Sequence, residues 1–173
     1  GLFMMVPQAG GGYSFRQFEH IEGNKNTLNS NNVYDMVEDK QGNMWIATYG
    51  DGVNLLIEDK NGTFRFLNKD NGINTYPHNA YHKVRTVCTD TLGNVWAGTT
   101  DGILLMKYQQ RAVDIKRMDM NVSHEYPLAC NDIICIDRSP RGEMWIGTNG
   151  GGLSHCTGID SEGKWCFENI YSK

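Results

Sequence analysis

The sequence lacks any long apolar run and any strong excess of positive charge. No stretch approaches the roughly 18 consecutive apolar residues of a membrane-spanning helix, so no segment is predicted to cross a bilayer. The opening GLFMMVP has no basic residue and is not typical of a signal peptide. The net charge is −4 and no stripe of Lys and Arg is present, which argues against nucleic acid as a partner.

The cysteines are odd in number and irregularly spaced. The five cysteines match no zinc motif and no disulfide framework. Cys88 and Cys135 lie in apolar, strand-like runs and are predicted to be small buried hydrophobic residues. Cys156 and Cys166 flank a predicted hairpin turn, so a disulfide between them is an alternative to two reduced thiols.

Glycine, in contrast, is abundant, at 20 of 173 residues, and a repeated unit accompanies it. The pattern D-x-x-G-x-x-W-x-x-T, followed by a glycine-containing turn, occurs three times, with Ser139 replacing the first Asp in the third copy. The tryptophans Trp45, Trp96 and Trp145 are 51 and 49 residues apart. A repeat of this period indicates a propeller or a solenoid, and no amphipathic helical pattern supports a helical solenoid.

Each unit divides into four short strands joined by tight turns. The segment from Asp39 to Asn43 predicts a tight turn, because an Asp side chain can bond its own backbone two residues on and glycine adopts a positive φ without steric cost. Asn61-Gly62 predicts a hairpin turn. The predicted strands of the first unit are Val33 to Glu38, Met44 to Thr48, Val53 to Ile57 and Thr63 to Leu67; further fourth strands are Ser14 to Phe18, Ala112 to Ile115 and Trp165 to Ile170.

Four antiparallel strands in a unit too small to bury its own faces are typical of a propeller blade. We predict an all-β fold, a β-propeller segment of about three and a half four-stranded antiparallel blades. The predicted bounds are 1–22 for the second half of a blade, then 23–70, 71–118 and 119–173 for complete blades. Because closed propellers have roughly four to eight blades, the expected partners are the remaining blades of a larger propeller. A homodimer through open blade edges is the alternative.

The unit resembles the two-component regulator propeller repeat. That resemblance implies the periplasmic sensor region of a Bacteroides-type hybrid two-component system, a sensor histidine kinase with a response regulator. It further implies non-catalytic sensing of oligosaccharides to control glycan-utilisation genes, and no direct membrane contact by this segment. The matching residues are Asp39, Gly42, Asn43, Trp45, Thr48 and Gly52; Asp90, Gly93, Asn94, Trp96, Gly98, Thr99 and Gly102; and Gly142, Trp145, Gly147, Thr148 and Gly152.

Two other classes of function stay open. Streptogramin lyases carry a similar D-x-x-G-x-x-W turn, but their blades are shorter and no catalytic His cluster is present here. A scaffold that binds another protein through an unpaired blade edge is the other class. His78 and His82 have the spacing of a metal pair, yet Pro77 predicts a loop. Asp51 and Asp101 hold equivalent positions, but turn chemistry accounts for both. We therefore expect no catalysis, no cofactor and no metal.

Residues that recur in every copy are predicted to build the blades, since every blade has the same volume to fill. These structural residues are Trp45, Trp96, Trp145, Gly42, Gly93 and Gly142. Ligand contacts are expected where the copies differ, in the second-to-third turns and in the loops 68–83 and 119–131. The predicted ligand-binding residues are Tyr49, Asp51, Tyr81, His82, Asp101 and Asn149; the long loops also carry Tyr76, His78, His124 and Tyr126.

Overall fold

The computed structural model describes residues 1–77, 79–120 and 127–171, and the regular structure in these ranges is β-strand. One two-stranded and three four-stranded sheets are antiparallel throughout and join their strands in chain order. This confirms the predicted all-β architecture of propeller blades. The half blade contains β1 (Leu2–Pro7) and β2 (Tyr13–Phe18); the first full blade contains β3 (Val33–Glu38), β4 (Met44–Thr48), β5 (Gly52–Glu58) and β6 (Phe64–Leu67).

The second and third full blades repeat this order. The second contains β7 (Val84–Thr89), β8 (Val95–Thr99), β9 (Gly102–Gln109) and β10 (Ala112–Met118); the third contains β11 (Ile133–Arg138), β12 (Met144–Thr148), β13 (Leu153–Ile159) and β14 (Trp165–Ile170). The first strands of successive blades contact one another, β3 with β7 and β7 with β11, as the inner strands around a propeller axis do.

The repeated turn is built around the Asp that begins it in the first two copies. Asp39 accepts backbone N–H bonds from Gln41 and Asn43 at 2.9 and 3.0 Å. Its other oxygen accepts the indole N–H of Trp45 at 2.9 Å. Gly42 has a φ of 82°, which a residue with a Cβ rarely adopts. One carboxylate therefore shapes the turn and orients the tryptophan that follows.

The hydrophobic core lies between blades. Trp45 is fully buried in the cluster shared by the first and second blades, and Trp96 in the cluster shared by the second and third. A third cluster, which includes Phe18 and Phe66, joins the half blade to the first blade. Trp45 and Trp96 thus each fill the space between their own blade and the next.

The third blade ends the described chain with an uncovered face. Trp145 is half-buried there and stacks on His155, with ring centroids 4.3 Å apart. Cys135, predicted to be buried, is exposed on this face, so that prediction is wrong. The equivalent Thr86 of the second blade is buried because the third blade covers it through Ile133. Burial at this position depends on a neighbouring blade, which the local sequence does not encode.

All five cysteines are free thiols. Cys166 lies in register with Gly158 rather than Cys156, because the strand register shifts between Cys156 and Gly158. At the other end of the chain, β1 pairs only with β2 and leaves one edge unpaired. The described residues contain no helix long and apolar enough to span a membrane.

Candidate ligand site on the loop face

The second-to-third turns and the connections between blades emerge at one end of the blades, called here the loop face. Each turn is closed by the repeated threonine: the hydroxyls of Thr48, Thr99 and Thr148 donate to the carbonyls of Gly52, Gly102 and Gly152 at 2.7 to 2.9 Å. This hydrogen bond is the same in all three blades. The side chains displayed around it differ from blade to blade.

Tyr49 lies in the first of these turns, in the middle of a stack of side chains. Its ring is 5.0 Å from that of Tyr34 with an interplanar angle of 19°. Lys83 Nζ and the Arg85 guanidinium carbon lie 5.9 and 5.8 Å from its centroid. Cations at this distance from an aromatic ring are attracted to its electron-rich face. Tyr49 is therefore held in place, and Tyr34 presents the open end of the stack.

Arg85 continues this surface toward the third blade. Its guanidinium donates to the carboxylate of Asp132 and to the carbonyl of Ile133. Asn149 donates its amide N–H to the other oxygen of Asp132 at 2.8 Å. The hydrogen bond from Arg85, followed by that from Asn149, lowers the pKa of Asp132. A connected row of charged and amide groups thus runs from the second blade to the third.

A polar cleft of about 220 Å³ lies on the loop face between the first and second blades. Lys69 Nζ is 3.6 Å from Asp51 Oδ1 and 3.2 Å from Asp70 Oδ2. His82 also lines the cleft, and its carbonyl accepts the backbone N–H bonds of Gly50 and Gly52 at 3.0 and 2.8 Å. The cleft therefore offers carboxylate, ammonium and imidazole groups on a rigid turn, an arrangement suited to hydrogen-bonding a hydroxyl-rich molecule.

A second cavity, of about 210 Å³, adjoins Asp70 and is lined by residues including His20, Thr27 and Asn29. His20 Nδ1 lies 2.8 Å from the carbonyl of Leu28, and this contact, together with Glu22, raises the pKa of His20. A buried amide network supports the floor: Asn54 Nδ2 donates to Asn29 Oδ1 at 2.6 Å. The network ties the connection between the half blade and the first blade to the cleft.

Two of the predicted ligand residues, Tyr81 and Asp101, are hydrogen-bonded within the framework of the turns, and Asp101 keeps part of its surface exposed. Tyr81 is only 4% exposed, so its ring is not presented to solvent. Its φ is 63°, and its N–H and hydroxyl donate to Asp101 and Asp119 at 2.9 and 3.0 Å. Asp101 also accepts the Thr100 hydroxyl at 3.1 Å. Burial raises the pKa of Tyr81, and that of the neighbouring Tyr76, well above the ordinary value.

The other predicted residues, Tyr49, Asp51, His82 and Asn149, lie at the loop face with at least part of their surface exposed. His78, His124 and Tyr126 lie outside the described residues. The predicted ligand residues do not include Tyr34, Lys69, Arg85 or Asp132. Tyr34 and Arg85 occupy the same position in two inner strands but differ in side chain. This difference between copies of the repeat was the signal that could have identified them.

Comparison with known protein families identifies the repeat. The family model described as two component regulator propeller matches residues 27–50 and 127–150. These two stretches, 48 of the 173 residues, therefore match the two-component regulator propeller repeat that the motif resembles. Both matches contain a second strand with its tryptophan, and both end within the following turn of the loop face.

Solved structures with the same fold include extracellular domains of hybrid two-component systems from B. thetaiotaomicron. One aligns with a TM-score of 0.60 and 22% identity over 92% of this chain and 20% of its own. Another gives 0.59 and 20% identity over 94% of this chain and 22% of its own. Virginiamycin B lyase from Staphylococcus aureus gives 0.51 and 18% identity, over 86% of this chain and 45% of its own. At these identities the likeness concerns the fold.

The chain spans about a fifth of the length of the first of these structures. None of the curated protein sequences compared with the chain matches it.

Proposed function

Because two stretches of the chain match the two-component regulator propeller repeat, we propose that it is a ligand-sensing segment of a hybrid two-component sensor histidine kinase. Its ligand is an oligosaccharide, and its role is to control genes for glycan use. The segment belongs to a larger propeller in the periplasm and makes no direct contact with the membrane. The observation that carries the proposal is the contrast between a framework repeated in every blade and a loop face that differs in every blade.

The chemistry of the loop face supports a saccharide as the ligand. Saccharides present many hydroxyl groups and apolar C–H faces, so their sites combine side chains that form hydrogen bonds with exposed aromatic rings. Asp51, Lys69 and His82 supply the first kind in the cleft, and Asn149 supplies it farther along the surface. Tyr49 and its stacking partner supply the second. In this proposal Tyr81 and Asp101 support the turns from behind.

Signalling through such a segment is a shift between conformations that already exist. A ligand that binds one packing arrangement of the propeller more tightly than another raises the population of the first. The remaining blades of the propeller are the direct partners in that change. The uncovered face with Trp145 and the unpaired edge of β1 are the surfaces at which those blades join.

The segment has no catalytic role in this proposal. Lys69 engages the carboxylate of Asp51, while Tyr81 and Thr100 engage that of Asp101. The two carboxylates are thus held by different partners. They are not arranged as the pair of acids that flanks the glycosidic bond in a glycoside hydrolase. An enzyme of the streptogramin lyase type is the competing function, and its support is the shared propeller fold.

The proposal is tested by calorimetric titration of the chain with maltotriose, cellotriose, xylotriose and trigalacturonic acid. Saturable binding of at least one saccharide is expected, and chromatography should recover that saccharide intact. Absence of binding by the whole panel contradicts the saccharide ligand. Cleavage of the bound saccharide contradicts the non-catalytic role.

A pair of lysine variants locates the binding surface. Lys69→Met removes the ammonium group between Asp51 and Asp70 and is expected to weaken binding by about tenfold, the loss typical of one charge-assisted hydrogen bond. Lys60→Met is the matched control, because Lys60 lies in the hairpin turn at the opposite end of the first blade. Equal affinity of the two variants argues against the cleft as part of the site.

A further inference from the structure

The inner strand of each full blade contains a β-bulge at the same position. The register between the first and second strands skips from Val33 to Asp35 in the first blade. It skips in the same way around Arg85 in the second blade and Ile134 in the third. A bulge leaves one residue out of the ladder and redirects its side chain, and such bulges are frequent beside functional sites.

The three bulge residues are chemically different, although the residues before them are alike. Val33, Val84 and Ile133 precede the bulges and are apolar, whereas the bulge residues are an aromatic residue, a cation and an aliphatic residue. Tyr34 and Ile134 are 55% and 46% exposed. Because the inner strands of successive blades contact one another, the bulge residues lie side by side at the loop-face end of these strands, on a surface that we call the channel mouth (Tyr34, Arg85 and Ile134).

The ring of Tyr34 is fixed by its neighbours and exposed to solvent. One face of its ring lies against Tyr49, which is backed in turn by Lys83 and Arg85. Arg85 is itself anchored to Asp132 and to the Ile133 carbonyl. Tyr34 and Tyr49 together form a contiguous aromatic surface bordered by charged groups, and apolar patches rimmed by polar residues mark binding sites.

From this arrangement we infer that the channel mouth binds a pyranose ring, with the apolar C–H face of the sugar stacked on Tyr34. The inference rests on the proposed saccharide ligand and assigns its main contact to a residue at the inner end of the blade. Arg85 and Asn149 donate to hydroxyl groups at the edge of the ring. Ile134 closes the opposite side of the mouth with an aliphatic surface.

Tyr34 variants test the inference by calorimetric titration with the same four trisaccharides. Tyr34→Ala should weaken the binding of the trisaccharide that the unmodified chain binds by at least about tenfold, since it removes the aromatic surface. Tyr34→Phe should keep the affinity within about twofold, because stacking needs the ring and not the hydroxyl. Tyr34→Leu also removes the aromatic ring but retains an apolar side chain. It replaces the alanine variant in the test if the alanine variant does not fold.

Tyr13→Ala is the matched control. Tyr13 is 59% exposed, close to the 55% of Tyr34. It begins β2 beside the hairpin turn, at the end of the blades opposite the channel mouth. Its replacement should leave affinity unchanged. If the chain binds a saccharide and Tyr34→Ala and Tyr34→Leu bind it as well as the unmodified chain, the channel-mouth site is overturned while the proposed function stands. If the unmodified chain binds none of the four, the proposed function fails, and the inference with it.

Discussion

Asp90 shows how much of a blade depends on one carboxylate. It accepts backbone N–H bonds from Leu92 and Asn94, the side-chain amide of Asn94 and the indole N–H of Trp96, at 2.6 to 3.0 Å. The third blade is arranged differently. Ser139 accepts the backbone N–H of Glu143 and donates its hydroxyl to the Glu143 carboxylate. The negative charge has moved from the first position of the turn to the fifth.

These two turns predict unequal costs for the same kind of replacement. Asp90→Ala should lower the free energy of unfolding by about 2–4 kcal/mol, because it leaves several donors, including the indole of a fully buried tryptophan, without an acceptor. Ser139→Ala should cost only about 1 kcal/mol, since one neutral hydroxyl is lost. Urea unfolding followed by circular dichroism measures both. Equal losses would contradict the central role of the carboxylate.

The hairpin between β9 and β10 differs from the five-residue turn that joins the other paired third and fourth strands. Asp59 and Asp160 begin five-residue turns that repeat the pattern of the first-to-second turns. The β9–β10 hairpin instead turns through Gln110 and Arg111 alone, with φ values of 51° and 65°. Positive φ at two successive residues is the conformation that favours Asn-Gly.

Replacement of Gln110-Arg111 by Asn-Gly should therefore stabilise the second blade. We expect the free energy of unfolding to rise by about 1 kcal/mol, because side chains with a Cβ are strained in the left-handed region. Ala-Ala at the same positions is the control: it removes both side chains but keeps each Cβ, so it should give no gain. Thermal unfolding compares the three chains. A gain that Ala-Ala reproduces would exclude backbone strain as its cause.

For the whole molecule, both ends expose apolar side chains. Phe3, Met5 and Phe15 lie on the face of the half blade that is turned away from its neighbour, and Phe15 is 69% exposed. Leu153 and Ile170 are exposed at the other end, on the third blade. Apolar surfaces of this kind mark places where another protein surface packs. They fit the predicted contact with further blades, or with a second copy of the chain.

The isolated chain is accordingly expected to associate. Light scattering should give a molar mass that exceeds 19.5 kDa and increases with concentration. Phe15→Glu should shift the chain toward monomer, because a charge on the packing face opposes its burial. Leu92→Glu is the control, since Leu92 is 66% exposed but lies in a turn of the second blade. A monomer at every concentration would contradict association.

The sequence by itself determined the blade. The strands Val33–Glu38 and Met44–Thr48 begin and end where the pattern places them, because their turn depends on the side chains of adjacent residues such as Asp39 and Gly42. Hydrogen bonds within five residues of chain do not depend on the rest of the molecule. For the same reason the repeat motif was sufficient to predict the family model that matches residues 27–50 and 127–150.

Only the tertiary structure decided which side chains are available to a ligand. Tyr81 is a side chain suited to ligand binding, but it is buried in the core shared by the first and second blades. Cys135 lies in an apolar stretch of sequence, but it is exposed on an uncovered face. Tyr34 and Arg85 are 51 residues apart in the chain and come together because their strands are adjacent around the axis. Burial and convergence depend on contacts between residues about fifty positions apart, and short sequence patterns do not record such contacts.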